Sequence, residues 1–250
     1  MKKMTILFVV MILILSSLSF ADLVSFKVAY FVPRVESDLW DIEFENMDFR
    51  KTDFHATSFS FTYEYFLSSF ASLTFSVDGY NRQKYGLYKD YVEEKIGADY
   101  YAFDYGQGEP IGHTLSISST PLQVSIKLTP TGRRDRFIPY VGGGVGIYFW
   151  NLRLQGEIVD FSQSEWFYDP NIDQDVIGYL VSWKDSREDN KITVGYHGFA
   201  GFMMPIANRL SLDVELKYNS VKGSLTEDFE GFESFDLSGY QVAVGINYWF

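Results

Sequence analysis

Residues 210–218 read LSLDVELKY. Leu210, Leu212, Val214, Leu216 and Tyr218 alternate with Ser211, Asp213, Glu215 and Lys217. A period of two puts one oily and one polar face on a β-strand. Which face meets the surroundings decides the fold. Charges outward make a water-soluble, lipocalin-like barrel or a sandwich; charges inward leave the oily face to lipid.

Seven more segments carry the same period. Val24–Pro33 sets Phe26, Val28, Tyr30 and Val32 on one face, and Phe54–Phe66 does so with Phe59, Phe61, Tyr63 and Tyr65. Ala71–Tyr80 opposes Leu73, Phe75 and Val77 to Ser72, Thr74, Ser76 and Asp78. In Gly112–Thr129 the apolar phase is odd at Leu115 and Ile117, then even at Leu122, Val124, Ile126 and Leu128, which predicts a bulge near Thr120-Pro121. Ile138–Leu154 contains PYVGGGVGIYFW, whose glycines leave its facing open. Lys191–Ile206 and Ser238–Phe250 complete the set, the last with Tyr240, Val242, Val244, Ile246, Tyr248 and Phe250 in phase.

Short links near 67–70, 130–137 and 207–209 alternate with long ones over 34–52, 81–110, 155–190 and 221–237. The long connections carry net charges of −3, −2, −7 and −4, whereas Arg133, Arg134, Arg136 and Arg209 sit on the short side. Short turns at one end and long loops at the other are the expected plan of an outer-membrane barrel, with the long loops extracellular. Within them WDIEFENMDF (40–49) and DVIGYLVSW (175–183) alternate in part, so strands are expected to continue past a bilayer, where their edges either pair within a hairpin or accept a partner's strand.

The N-terminus reads as a secretory signal peptide over 1–21: Lys2 and Lys3, an apolar Ile6–Leu15 core, and Ser19-Phe20-Ala21 as the cleavage site. Its removal would take the net charge from −12 to −14 and leave 22–250 as one barrel domain. So acidic a chain argues against nucleic acid. With no cysteine there is no disulfide framework or thiolate metal site.

Export provides a membrane for the oily face. The last strand's other face, Gln241, Ala243, Gly245 and Asn247, is too poor in charge to solvate an exterior, and aromatics gather near strand ends as interfacial girdles do. The fold expected is all-β: an eight-stranded antiparallel up-and-down transmembrane β-barrel. A closed sheet is required because hydrocarbon cannot satisfy an open edge. The bore of eight strands is only wide enough to be filled by side chains. Lys27, Glu64, Asp78, Lys127, His197, Asp213, Glu215 and Lys217 are therefore expected to form a polar network in the lumen, their mixed signs permitting the pairing that burial demands.

The signal peptide, the hairpin meander, PYVGGGVG and the terminal VAVGINYWF resemble the small outer-membrane barrels of the OmpX, OmpW and OmpA-membrane-domain type, over essentially the whole mature chain. The resemblance implies a partner in the barrel assembly machinery, which would read Val244, Ile246, Tyr248 and Phe250. With the chain stopping at Phe250, the peptidoglycan-binding domain of OmpA-type proteins is expected to be absent. Likeness to OmpW suggests an alternative to a structural or surface-interaction role: a narrow channel for small hydrophobic compounds, needing an apolar lumen near the long-loop end, around Phe199 and Trp150, and a lateral gap.

Chemistry is harder to find. Some barrels of this kind act on lipid, and Asp53, His55 and Thr57 share a strand face. Same-face neighbours lie roughly 6.5–7 Å apart along a strand, beyond the about 2.6–3.2 Å of a catalytic hydrogen bond. His113 has no acid or hydroxyl in phase nearby. No enzyme activity and no cofactor are expected. Asp169, Asn171, Asp173 and Asp175 begin like a calcium loop, but Gln174 replaces its glycine and Leu180 its last glutamate, leaving weak candidates for a divalent cation. Expected partners are outer-membrane lipid and, at the long loops, divalent cations or an extracellular protein.

Overall fold

The computed structural model describes residues 22–104, 106, 108–133, 136–170, 173–226 and 229–250. The segment read as a signal peptide, Arg134 and Asn171 lie outside the described residues. The elements in chain order are β1 (Asp22–Pro33), α1 (Asp38–Asn46), β2 (Ala56–Phe66), β3 (Ala71–Ile96), β4 (Asp99–Phe103), β5 (Glu109–Leu128), β6 (Ile138–Asp169), β7 (Gln174–Ala207), β8 (Leu210–Ser220), β9 (Lys222–Gly223), β10 (Phe235–Asp236) and β11 (Gly239–Trp249). Eight long strands close an antiparallel ring in chain order, with β1 against β11 sealing it. The short β4 is a ninth member of the sheet, bridging β3 and β7 at the long-loop end. Among the described residues no helix is long and apolar enough to cross a membrane. Strands do the crossing.

Side-chain parity sets the outer surface. Phe26, Val28 and Tyr30 on β1, Val124, Ile126 and Leu128 on β5, and Val242, Val244 and Ile246 on β11 are all exposed, while the residues between them are buried. The band runs around the whole ring, as a barrel that meets a bilayer's hydrocarbon requires. Soluble monomers rarely expose apolar patches beyond a few hundred Å². This exterior belongs in lipid, which excludes the soluble lipocalin-like alternative.

The bulge expected near Thr120-Pro121 is absent. β5 keeps one register with β6 from His113–Gly156 to Leu128–Val141, and the same offset with β3 at Val77–Leu122 and Tyr80–Ser119. Odd residues of β5 face inward throughout: Leu115 and Ile117, then Gln123, Ser125 and Lys127. What changes along the strand is the medium. Beside lipid the oily residues point out and the bore is polar; past the bilayer the wall meets water and the interior becomes oily. The β3–β5 ladder does lapse where Asp78 and Gly79 face Thr120 and Pro121, Pro121 having no N–H to offer.

The long-loop end is built mostly of strand. β1, β8 and β11 have 12, 11 and 11 residues, about the nine to eleven a tilted crossing needs. β3, β5, β6 and β7 run to 26, 20, 32 and 34 and rise past the bilayer as a tall wall. DVIGYLVSW lies within β7, paired to β6 and at Tyr179–Val181 to β4. WDIEFENMDF is not a strand. Its first half lies in α1, with Asp38 and Asp41 in the first turn opposing the helix dipole and Trp40 stacked on Phe44.

Candidate functional site

The bore is filled along its length. Toward the short turns, Leu23, Ile138, Tyr140, Phe199 and Met203 form an apolar cluster set among charges, with Leu23 opposite Glu64, Met203 opposite Asp213 and Phe199 opposite Lys217. On β6, Gly142, Gly144 and Gly146 face inward, which resolves that strand's facing: a Cβ at Gly142 would strike the Phe199 ring and the Ile126 carbonyl. Bare wall on one strand thus makes room for a ring from the next.

Interleaved with this cluster is the polar layer. Lys27, Glu64, Asp78, Lys127, His197, Asp213, Glu215 and Lys217 are all buried there. Lys27 reaches Glu215 at 2.6 Å and Asp213 at 3.1 Å. Lys127 donates to Glu64 at 2.8 Å and sits 4.0 Å over the Tyr140 ring. Lys217 donates to Asp78 at 2.7 Å and to the Gln123 amide oxygen at 3.1 Å. Three ammonium groups face four carboxylates, so other donors must share the load. Tyr140 gives its hydroxyl proton to Asp213 (2.5 Å), with Glu215 3.0 Å away, and Ser72 donates to Glu64 at 2.5 Å. Arg133, from a short turn, stands 3.6 Å from Glu64. His197 Nε2 lies 2.5 Å from the Ser125 hydroxyl. Tyr140, Gln123, Ser125 and Ser72 are members that charge alone did not flag; the inward parity of the last three was readable, whereas that of Tyr140 was hidden by the glycines of its strand.

The level nearest the long loops is a large apolar core under a lid. α1, the turn Lys51–Phe54 and the segment around β10 lay Trp40, Phe54 and Phe235 over Leu115, Ile117 and Trp150. Phe199 lies among the charges, opposite Lys217 and stacked on His197, so it does not share with Trp150 the apolar site near the long-loop end that the channel alternative expected. Trp40 Nε1 donates to the Asp236 carbonyl at 3.2 Å. His113, without a partner along its own strand, meets Glu43 of α1 at 2.8 Å, both buried. Periodicity could not show that contact, because the partner comes from another element.

No relay forms among Asp53, His55 and Thr57. Asp53 accepts from the Arg50 amide at 3.0 Å, the His55 ring lies 3.3 Å from the Tyr30 hydroxyl, and Thr57 is exposed. Nor are the acidic-loop candidates drawn together: among the described residues no group of three or more His, Asp or Glu side chains could hold a metal. Asp173 accepts the Tyr168 hydroxyl at 2.6 Å, Asp169 and Gln174 are cross-strand partners, and Asp175 is exposed. Val244, Ile246, Tyr248 and Phe250 all point outward at the closing seam. In the wall beyond the bilayer, partial burial and then the carboxylates of Glu157 and Glu109 hold the Glu93 carboxyl above its ordinary range. Asp160 is held below its range, first by the Ser162 hydroxyl.

No protein-family model matches the chain, and no curated protein does. Solved structures do. The outer membrane protein OprG from Pseudomonas aeruginosa aligns over 92% of this chain and 95% of its own, with 12% identity and a TM-score of 0.50. Neisserial surface protein A aligns over 93% and 100%, with 12% identity and a TM-score of 0.48. Identity this low speaks for architecture alone, and the architecture is that of the small eight-stranded outer-membrane β-barrel proteins.

Proposed function

We propose that this chain is a non-enzymatic outer-membrane barrel with a structural or surface-interaction role, its acidic loops and tall wall standing outside the cell. Supporting this reading is the filled bore, where buried ion pairs and apolar side chains pack inside the cylinder beneath the lidded core. Cleavage after Ala21 would accompany export, and assembly would use the outward Val244, Ile246, Tyr248 and Phe250. Outer-membrane lipid is the first partner, with divalent cations or an extracellular protein at the long loops. Planar-bilayer recording of the purified barrel should give no conductance steps. A sustained ionic conductance would overturn the closed-bore reading, and lipid hydrolysis by the purified protein would overturn the non-enzymatic one.

One observation favours a second reading, the narrow channel for small hydrophobic compounds. The lapse in the β3–β5 ladder at Gly79 and Pro121 lies beside a cavity of about 30 Å³, lined partly by Phe31, Trp40, Ile117 and Phe235. Such a volume holds about two waters, far less than an organic solute, so conduction would require the lid to move. Uptake of an apolar dye into vesicles bearing the barrel would favour this reading over the first.

A further inference from the structure

The β6–β7 hairpin projects farthest from the bilayer, and its two faces are treated differently. On one face Phe167 packs against Tyr101 and Phe103, ring centroids 4.7 and 5.7 Å apart. Gly178 is required beneath them, since a Cβ there would come within 2.8 Å of the Phe103 ring. β4 thus holds the hairpin from behind. The cross-strand pairs Trp166–Ile177 and Tyr168–Asp175 define the opposite face. Trp166 is 69% exposed and Tyr168 63%, far above the usual exposure of such rings.

Along the hairpin itself the charge has one sign. No Lys, Arg or His occurs between Arg153 and Lys184, while that span holds Glu157, Asp160, Glu165, Asp169, Asp173 and Asp175. Two of these border the open rings: Asp173 accepts the Tyr168 hydroxyl, and Asp175 pairs across from Tyr168. Exposed indole and phenol rings fixed among carboxylates suit a cation, through the ring quadrupole and through ion pairing. Polyanions and anionic surfaces are repelled by the same field. Trp and Tyr are also the residues that most often anchor protein interfaces.

We propose that the Trp166–Tyr168 face of the hairpin is a docking site for a basic polypeptide segment, whose Lys or Arg side chains lie over the two rings and pair with Asp173 and Asp175. The inference rests on the surface-interaction reading above and names its partner class.

The test titrates the full mature chain in nanodiscs with fluorescent oligo-arginine and oligo-glutamate peptides. Oligo-arginine should bind, more weakly as salt rises. The Trp166→Ala/Tyr168→Ala variant changes no charge and should bind about tenfold more weakly. Tyr85→Ala, at an equally open ring on β3, should bind as the parent does. Equal affinity in the double variant overturns the proposal, because bulk acidity would then account for binding. Preference for oligo-glutamate, or self-association through the same face, overturns it too. Gln174→Cys supplies a single thiol in a cysteine-free chain. Labelling it on intact cells with an impermeant reagent tests the surface reading separately: an unlabelled thiol overturns that reading and leaves the purified-protein result standing.

Discussion

At the scale of single residues, the bore is governed by the difference between removing a charge and removing a pair. Lys217 holds Asp78 and Gln123 in a buried site. Lys217→Met leaves Asp78 buried without its cation and should cost about 3–5 kcal/mol. The paired change Lys217→Met/Asp78→Leu should recover most of that loss, and denaturant unfolding in detergent micelles followed by tryptophan fluorescence measures both. Gly144 poses a steric limit instead. A Cβ there would drive into the Val124 carbonyl oxygen of the neighbouring strand. Gly144→Val should therefore prevent β6 from pairing with β5 and abolish recovery of folded barrel, whereas the same change at outward Gly198, which has open space around it, should be tolerated.

Among elements, the lid carries the clearest expectation. Trp40 is fully buried, stacked on Phe44 and Phe235 with ring centroids 5.4 and 5.2 Å away. Trp40→Ala should cost about 3–5 kcal/mol and raise amide exchange in α1 while the lipid-embedded strands stay protected. The β3–β4 hairpin should instead respond to acidity. Because the Glu93 carboxyl is raised, the folded state holds that proton more tightly than the unfolded chain does. Its contribution is complete below the ordinary glutamate range and lost as pH rises through the raised value. Protection factors in this hairpin, taken relative to the intrinsic exchange rate at each pH, should be higher near pH 4 than at about pH 8, and Glu93→Gln should remove most of that difference. Elements also show where sequence reading ran out. Period two found every membrane strand, since one face always met lipid. It missed α1, whose oily residues answer to Phe54, just beyond the helix, and to Phe235, far away in the chain. It also mistook the phase change in β5 for an inserted residue, because a shift of phase and a change of surroundings leave the same mark on a hydropathy pattern.

For the whole molecule, the ring and its eight strands could be read from alternation and from the spacing of long and short links. The ionic layer was equally legible, because a charge in inward phase has nowhere else to go. The lid, the Glu43–His113 contact and the open Trp166–Tyr168 face were not, as each depends on segments that meet only once the barrel has closed. Acidity gathers at the long-loop end, so the molecule is strongly polar along its axis. Oriented in a bilayer, it should draw oligo-arginine to one side only, as zeta-potential titration of vesicles with uniform insertion would show.

The exchange of oily and polar faces partway up β5 means that one chain is held together by two different solvents. Below the crossover, acyl tails cover the greasy side and water has little to drive out; above it, water expels side chains into the lidded core as in any cytosolic enzyme. Urea should therefore dissolve the upper storey first, with a steep dependence on concentration and a large heat-capacity change, while the detergent-wrapped cylinder beneath survives to higher concentrations.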